Sequence, residues 1–290
     1  MVSPTTPLVD HIVILIPYSF LTSPPSWFAD LFHFYPGGRH ADGLTENTLV
    51  LLADGSYLEF IAFVPDVDPA KRAAHQWGKK AEGTVVDWAV TLPFPEEPQE
   101  PSDDQAEAND LKQERVFREI QARVRAANTG IVYSDLVRGG RTRLDGTVLK
   151  WAVAFPKNSA DGSPVDPGTV PFWCLDVTPR ELRVPYTPTF GKHPTGVIGV
   201  AVVDVRRGEE GTVKSASGVY GALLERKEAT GEWKLDAPRT SGGVVSLKAG
   251  GETSRVDMAF FTDDPSLVGK EVGGKVDDTH ELRFRLVAIP

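Results

Sequence analysis

Three stretches of this chain recur in the same order, and that duplication narrows the folds open to it more than any single motif does. "DHIVILIP" (10–17) aligns with "DWAVTLPF" (87–94): an Asp, a ring side chain, then an apolar strand ending near proline. "GGRHADGLTENTLVLLA" (37–53) aligns with "GGRTRLDGTVLKWAVAF" (139–155), each a Gly-Gly-Arg turn, a polar loop and an apolar strand. "SYLEFIAF" (56–63) aligns with "PFWCLDVT" (171–178), each an aromatic-rich strand bearing one carboxylate. Any one match is worthless alone. Three in order point to two copies of one unit.

A helical stretch separates the first two landmarks of each copy. In copy one it spans roughly residues 24–32, with Ser23 as N-cap before Pro24 and Pro25, residues tolerated in a first turn. In copy two, Leu111, Phe117, Ile120, Val124 and Ala127 recur at helical spacing, Ser102 to Gln105 resembles a capping box, and Gly130 ends the run. "FPEEPQEPSDD" (94–104) and "KNSADGSPVDPGT" (157–169) read as solvated loops. Each copy therefore reads strand, helix, strand, strand, strand. The predicted class is α+β: two such modules, residues 8–66 and 84–180, form a curved, partly closed antiparallel sheet within a domain over residues 1–186. Beyond it, strand-like "HPTGVIGVAVVDV" (193–205), helical "GVYGALLERK" (218–227) and three further strand-like runs predict a third, smaller, degenerate module over residues 187–290.

Charge and composition exclude several roles. The 290 residues carry a formal net charge of −9 and no basic block, so the long-range field repels phosphate backbones and nucleic acid is not an expected partner. The early apolar run from Ile12 stops at Pro17, far short of a membrane span, and lacks the basic start and small-residue cleavage site of a signal peptide. A single cysteine, Cys174, rules out an intramolecular disulfide and suits a reducing compartment. A cytoplasmic protein, monomer or homodimer, with no membrane partner and a small-molecule metabolite as ligand, is the expectation.

The Asp-His opening strand, the G-G-R-H turn, "GLTEN" (43–47) and "DGSYLEFIAF" (54–63) together resemble the glyoxalase-like branch of the vicinal oxygen chelate superfamily. The match is strongest over residues 8–63 and extends to about residue 178. The resemblance implies paired βαβββ modules whose concave faces enclose a small-molecule pocket. It also implies a divalent ion held by a His on the first strand and a Glu on the fourth strand of each module. Copy one supplies His11 and Glu59. Copy two departs from the pattern, with Trp88 at the second His and Asp176 at the second Glu. An indole N–H only donates and cannot ligate a metal. The expected metal set is thus His11, Glu59 and Asp176, with Mg²⁺, Mn²⁺, Fe²⁺, Ni²⁺ or Zn²⁺ as the ion.

Strand alternation puts His11 with Val13 and Leu15 on one face, and Glu59 with Tyr57 and Ile61 on one face. Metal ligation, a metal-free polar site and simple mutual hydrogen bonding of a buried acid all remain open readings of the pair. His40 is a candidate general acid or base, and Glu46 stands where many relatives carry His, which alters any proton-transfer role. Arg39 offers a fork for an oxyanion or, as a surface turn residue, pairs with a nearby acid; its recurrence as Arg141 favours a structural turn. Asn47, Tyr57 and Trp88 are candidate substrate-binding residues, with core packing as the alternative for the aromatics. His193 reads as a solvated linker residue and Cys174 as an inert buried thiol. Two functions fit: a lyase, isomerase or ring-opening enzyme on a small oxygenated metabolite, with a divalent ion placed by His11, Glu59 and Asp176, or a metal-free protein that binds or sequesters one; a metal-free enzyme using only acid–base residues sits between them.

Overall fold

β-Branched and aromatic residues fill the runs between glycine turns, and those runs form strands. The computed structural model describes residues 6–93, 103–143, 145–227, 231–250 and 254–290. The first module is β1 (Leu8–Leu15), α1 (Tyr18–Thr22), α2 (Ser26–Ala29), β2 (Tyr35–Arg39), β3 (Thr45–Leu51) and β4 (Tyr57–Phe63). After α3 (Pro69–Ala74) the second follows: β5 (Thr84–Thr91), α4 (Asp103–Ala126), β6 (Ile131–Tyr133), β7 (Val137–Thr142), β8 (Val148–Ala154), β9 (Pro156–Asn158) and β10 (Phe172–Asp176). Eight strands make one nearly closed sheet in the order β2-β3-β4-β1-β5-β10-β8-β7, while β6 and β9 pair separately. Within each module the first strand runs parallel to the last, β1 with β4 and β5 with β10; β1 and β5 join the modules antiparallel.

Two short helices, α5 (Arg180–Arg183) and α6 (Pro188–Gly191), lead into a second half: β11 (Val197–Arg207), α7 (Glu210–Leu223), β12 (Arg226–Lys227), β13 (Glu232–Lys234), β14 (Val244–Ala249), β15 (Arg255–Thr262), β16 (Glu271–Lys275) and β17 (Glu281–Ala288). Its sheet order, β12-β13-β14-β11-β15-β17-β16, repeats the first plan. Again β11 is parallel to β14, β15 is parallel to β17, and β11 and β15 join antiparallel. Where the sequence suggested one weak module, residues 197–249 build a complete βαβββ unit and residues 255–288 a fourth unit without a helix among the described residues.

Several local expectations shift. The copy-one helix breaks into α1 and α2, with Ser23 closing the first and Pro25 opening the second. Both Gly-Gly-Arg segments lie in edge strands, β2 and β7, instead of turns. Gly37 is required there by close approach, since a Cβ would sit 2.0 Å from Asn47 Oδ1. Helix α4 buries Val116, Phe117, Ile120 and Val124 but leaves Leu111 exposed. The expected capping box at Ser102 falls outside the described residues, as does most of the 94–104 loop. Within 157–169, the first two residues belong to β9.

One core runs through both halves on the helix-covered face of the sheets, joining Ile12, Phe60, Trp88 and Trp173 to Val203, Tyr220 and Phe284. Asp54, in the turn between β3 and β4, ties the halves together. Its N–H donates to Ile198 O (2.9 Å), and its Oδ2 accepts from Val200 N (2.8 Å). His193 is buried, not solvated: it accepts from His33 N (3.1 Å) at Nδ1, and its Nε2 faces Leu51 O at 2.8 Å. Among the described residues no helix is long and apolar enough to cross a membrane.

Candidate functional site

The concave face of the first sheet is the place where polar side chains gather. A β-bulge between Val9 and His11 makes Asp10 an extra residue in β1. That insertion sends Val9 into the helix-side core and His11 into the cup with Val13 and Leu15. His11 Nδ1 lies 2.6 Å from Asp10 Oδ2, so the Nδ1–H is donated to that carboxylate and Nε2 is left facing Glu59 Oε2 at 3.6 Å. The imidazole stacks on Tyr57 (ring centroids 4.7 Å apart) and meets Phe172 edge-on. From β3, Asn47 Nδ2 donates to Glu59 Oε1 at 2.5 Å. His40 completes the group: its Nδ1 is 2.7 Å from Thr45 Oγ1 and its Nε2 is 3.5 Å from Glu59 Oε1. Burial pushes the Glu59 carboxyl up, but His40, His11 and Asn47 together outweigh it and bring the value down to about 2.

Asp10 is held by α5. Arg180 Nη1 donates to Asp10 Oδ1, Arg183 Nη1 and Nη2 reach Asp10 at 3.0 Å each, and both arginines also grip Asp176. Burial alone would raise the Asp10 carboxyl; Arg180, Arg183 and the His11 hydrogen bond hold it well below the usual range. Asp10 thus stays an acceptor and fixes the His11 tautomer. Arg183 Nη1 also donates to Tyr57 Oη at 2.7 Å, which floors the cup.

The cavity above these groups has a volume of about 200 Å³. His11, His40, Asn47, Tyr57 and Glu59 all line it. The other four sequence candidates do not. Glu46 alternates with Asn47 along β3 and so faces away, accepting from Tyr18 Oη at 2.8 Å. Arg39 is exposed (side chain 57%) and donates to Gly43 O at 2.9 and 3.2 Å. Trp88 points into the shared core against Tyr220. Asp176 is sealed beneath Arg180 and Arg183.

Register explains the last two corrections. His11 pairs with Tyr57 across β1–β4, and Ala89 pairs with Phe172 across β5–β10. The structural counterpart of His11 is therefore Ala89, and that of Glu59, two residues beyond Tyr57, is Cys174. The extra residue at the β1 bulge displaces a simple alignment by one position, onto Trp88. Module two thus contributes neither an imidazole nor a carboxylate to the cup.

Sequence reasoning missed what module two and the connector do contribute. His75, Gln76 and Trp77 come from the segment after α3, and Arg141, Phe155, Phe172 and Cys174 from module two; Trp151, which the strand pattern did offer as a lining aromatic, joins them, while Trp173 lies in the core. Burial lowers the His75 value and raises that of the Cys174 thiol well above its ordinary range. The only signal for the clamp was "RELR" (180–183), directly after the strand that carries Asp176.

The donor set can be weighed against a divalent ion. Among the described residues, Asp10, His11 and Cys174 bring three ligand atoms within 4.8 Å of one another. They do not fit one, because Asp10 is neutralised by two guanidiniums and the thiol is kept protonated. His11, His40 and Glu59 are the alternative donors, although their ligand atoms do not all lie within 4.8 Å of one another. His11 Nε2 faces Glu59 Oε2 at 3.6 Å and His40 Nε2 faces Oε1 at 3.5 Å, separations long for hydrogen bonds and on different oxygens of the one carboxylate. Each imidazole has its other nitrogen engaged, as metal-bound histidines do.

The family described as glyoxalase-like domain matches residues 9–217. The chain belongs to that family. The glyoxalase-like match covers both modules of the cup and ends within α7, and it places the chain in the vicinal oxygen chelate superfamily. Among solved structures, a hypothetical protein from Staphylococcus aureus superposes with a TM-score of 0.61 at 14% identity, covering 97% of this chain and 100% of that one. A xylose isomerase-like TIM barrel/4-hydroxyphenylpyruvate dioxygenase fusion protein gives 0.43 at 12% identity, covering 91% and 38%. A putative dioxygenase from Bacillus subtilis gives 0.29 at 13% identity, covering 99% and 87%. No protein with a curated description matches. The first of these likenesses shows the fold; glyoxalase-like membership itself names no reaction.

Proposed function

We propose that this glyoxalase-like protein is an enzyme of the lyase, isomerase or ring-opening kind, acting on a small oxygenated metabolite in the cup of the first module pair. The observation that carries the reading is the pair of anchored imidazoles, His11 and His40, facing one Glu59 carboxylate at 3.6 and 3.5 Å. His11, His40 and Glu59 would hold a divalent ion, whose chemistry there is that of a Lewis acid polarising a ligand oxygen. The chain's own groups do the rest. Asp10 and Thr45 fix the two rings, Asn47 holds Glu59 in place, and Glu59 stays anionic at any working pH. Trp77, Trp151, Phe155 and Phe172 wall the cavity, exclude water and strengthen every charge interaction inside it.

Elemental analysis and melting curves test this. The expected result is an ion in the purified protein, or a rise in melting temperature with Mn²⁺, Ni²⁺ or Zn²⁺ that His11→Gln and Glu59→Gln both abolish. A protein that is metal-free and indifferent to all three ions would overturn the metal-dependent reading. One observation favours a second reading, binding without turnover: module two offers Ala89 and Cys174 at the positions matching His11 and Glu59. A metabolite that stabilises the protein yet is recovered unchanged would support it.

A further inference from the structure

Among the described residues, the cup contains one guanidinium with no carboxylate at ion-pair distance, Glu59 acting on it only through space. Arg141, on β7, is partly buried in the cavity wall. Among the described residues it makes no ion pair, and its hydrogen bond is a long one, Nη1 to Asn47 Oδ1 at 3.4 Å. The other guanidinium on that wall, Arg183, is fully engaged by Asp10, Asp176 and Tyr57. Arg39, the matching arginine of module one, turns outward onto Gly43 O. A guanidinium drawn out of water without a counter-charge is unfavourable, and its planar fork of donors is shaped for a carboxylate. Burial depresses the Arg141 value by more than Tyr57 and Glu59, acting through space, restore.

Its surroundings define what would sit there. Asn47 spans the gap to the polar centre, with Oδ1 toward Arg141 and Nδ2 on Glu59, so a group held by Arg141 lies one side-chain amide from that carboxylate. Trp151, Val153, Phe155 and Phe172 supply an apolar wall, with the last two rings stacked 5.2 Å apart. The volume, about 200 Å³, is below the ~300 Å³ at which sites for drug-sized ligands begin. We infer that Arg141 anchors the carboxylate of a small carboxylic acid whose apolar body lies on the Trp151–Phe155–Phe172 wall. This rests on the preceding reading for the location of the site, and it adds the class of substrate.

The competing role for Arg141 is mechanical: a Cβ on Gly38 would meet its Nη1 at 3.4 Å, so the side chain also spans the seam between edge strands β2 and β7. Calorimetric titration of the full-length protein separates the two, using phenylacetate and mandelate against their primary amides, which match them in shape and lack the charge. The acids are expected to bind at least about tenfold more tightly than the amides. Arg141→Met should remove that preference and leave amide binding unchanged, and Arg141→Lys should keep part of it. Equal affinity for acid and amide, no binding of either acid at millimolar concentration, or unchanged acid binding by Arg141→Met would each overturn the assignment. If Arg141→Met does not fold, the acid–amide comparison on the unaltered protein and Arg141→Lys still decides. An acid-selective protein that is metal-free and inactive would sink the enzymatic reading and leave the anchor standing. A metal-loaded protein indifferent to ligand charge would do the reverse.

Discussion

At the scale of single residues, two buried carboxylates on the cup's strands respond to pH with opposite signs. Glu59, at about 2, lies below its ordinary 4.5, so its contribution is complete above the unfolded value and is lost as pH falls from 4.5 toward 2. Asp87, raised by burial to about 6, binds its proton more tightly folded than unfolded; it therefore favours the fold at low pH and disfavours it as pH rises from 4 through 6. Each is worth on the order of 3 kcal/mol. Urea unfolding across pH 2–8 should show a stability maximum near pH 4, where the gain from Glu59 and the loss from Asp87 balance, and Glu59→Gln should flatten the acid arm alone. Much at this scale was legible beforehand: alternation put His11, Tyr57 and Glu59 on the inner face, and they are there. The same alternation separates Asn47 from Glu46, but a motif shared with relatives marked both without regard to face. The arginine clamp left no trace in local pattern, since Arg183 meets Asp10 from 173 positions away.

The element scale turns on β1, where one inserted residue sets the register of everything beside it. Duplicated landmarks were enough to read the strand plan of modules one and two. They were not enough to equate positions, because the bulge at Asp10 has no counterpart in β5 between Trp88 and Val90. Register makes a sharp prediction about which β5 side chain looks into the cup. Ala89→His should add a donor opposite His11 and tighten binding of Ni²⁺ or Zn²⁺, at a packing cost of about 1–3 kcal/mol. Trp88→His should give no such gain and should destabilise by about 3 kcal/mol or more, because it empties a fully buried site against Tyr220. Ion titration followed by melting temperature or calorimetry on the two variants checks both statements. Stronger binding by Trp88→His would refute the assignment of faces.

At the scale of the whole molecule, the chain is two shells of two modules with a single interior between them. The second pair was the least legible part, because its strands lack landmark motifs and its fourth unit lacks a helix. The concave face of that sheet packs Ala201, Ala259 and Phe261 together, and none of its strands carries a histidine. It gives the first shell a surface to lie on: Trp27 Nε1 donates to Lys275 O (3.0 Å), Phe32 packs on Phe284, and Tyr220 Oη donates to Thr169 O (2.8 Å). Expressed alone, residues 1–186 should therefore fail to fold cooperatively, bind a hydrophobic dye and aggregate. A monomeric fragment with a sharp melting transition would contradict this. The grip of Asp54 on β11 has a consequence for rigidity, since that aspartate ends three residues before Tyr57 and five before Glu59. Loosening the far shell slackens the root of the strand that bears Glu59, so a protein mutated well away from its hollow can lose precision within it while every lining side chain is unchanged.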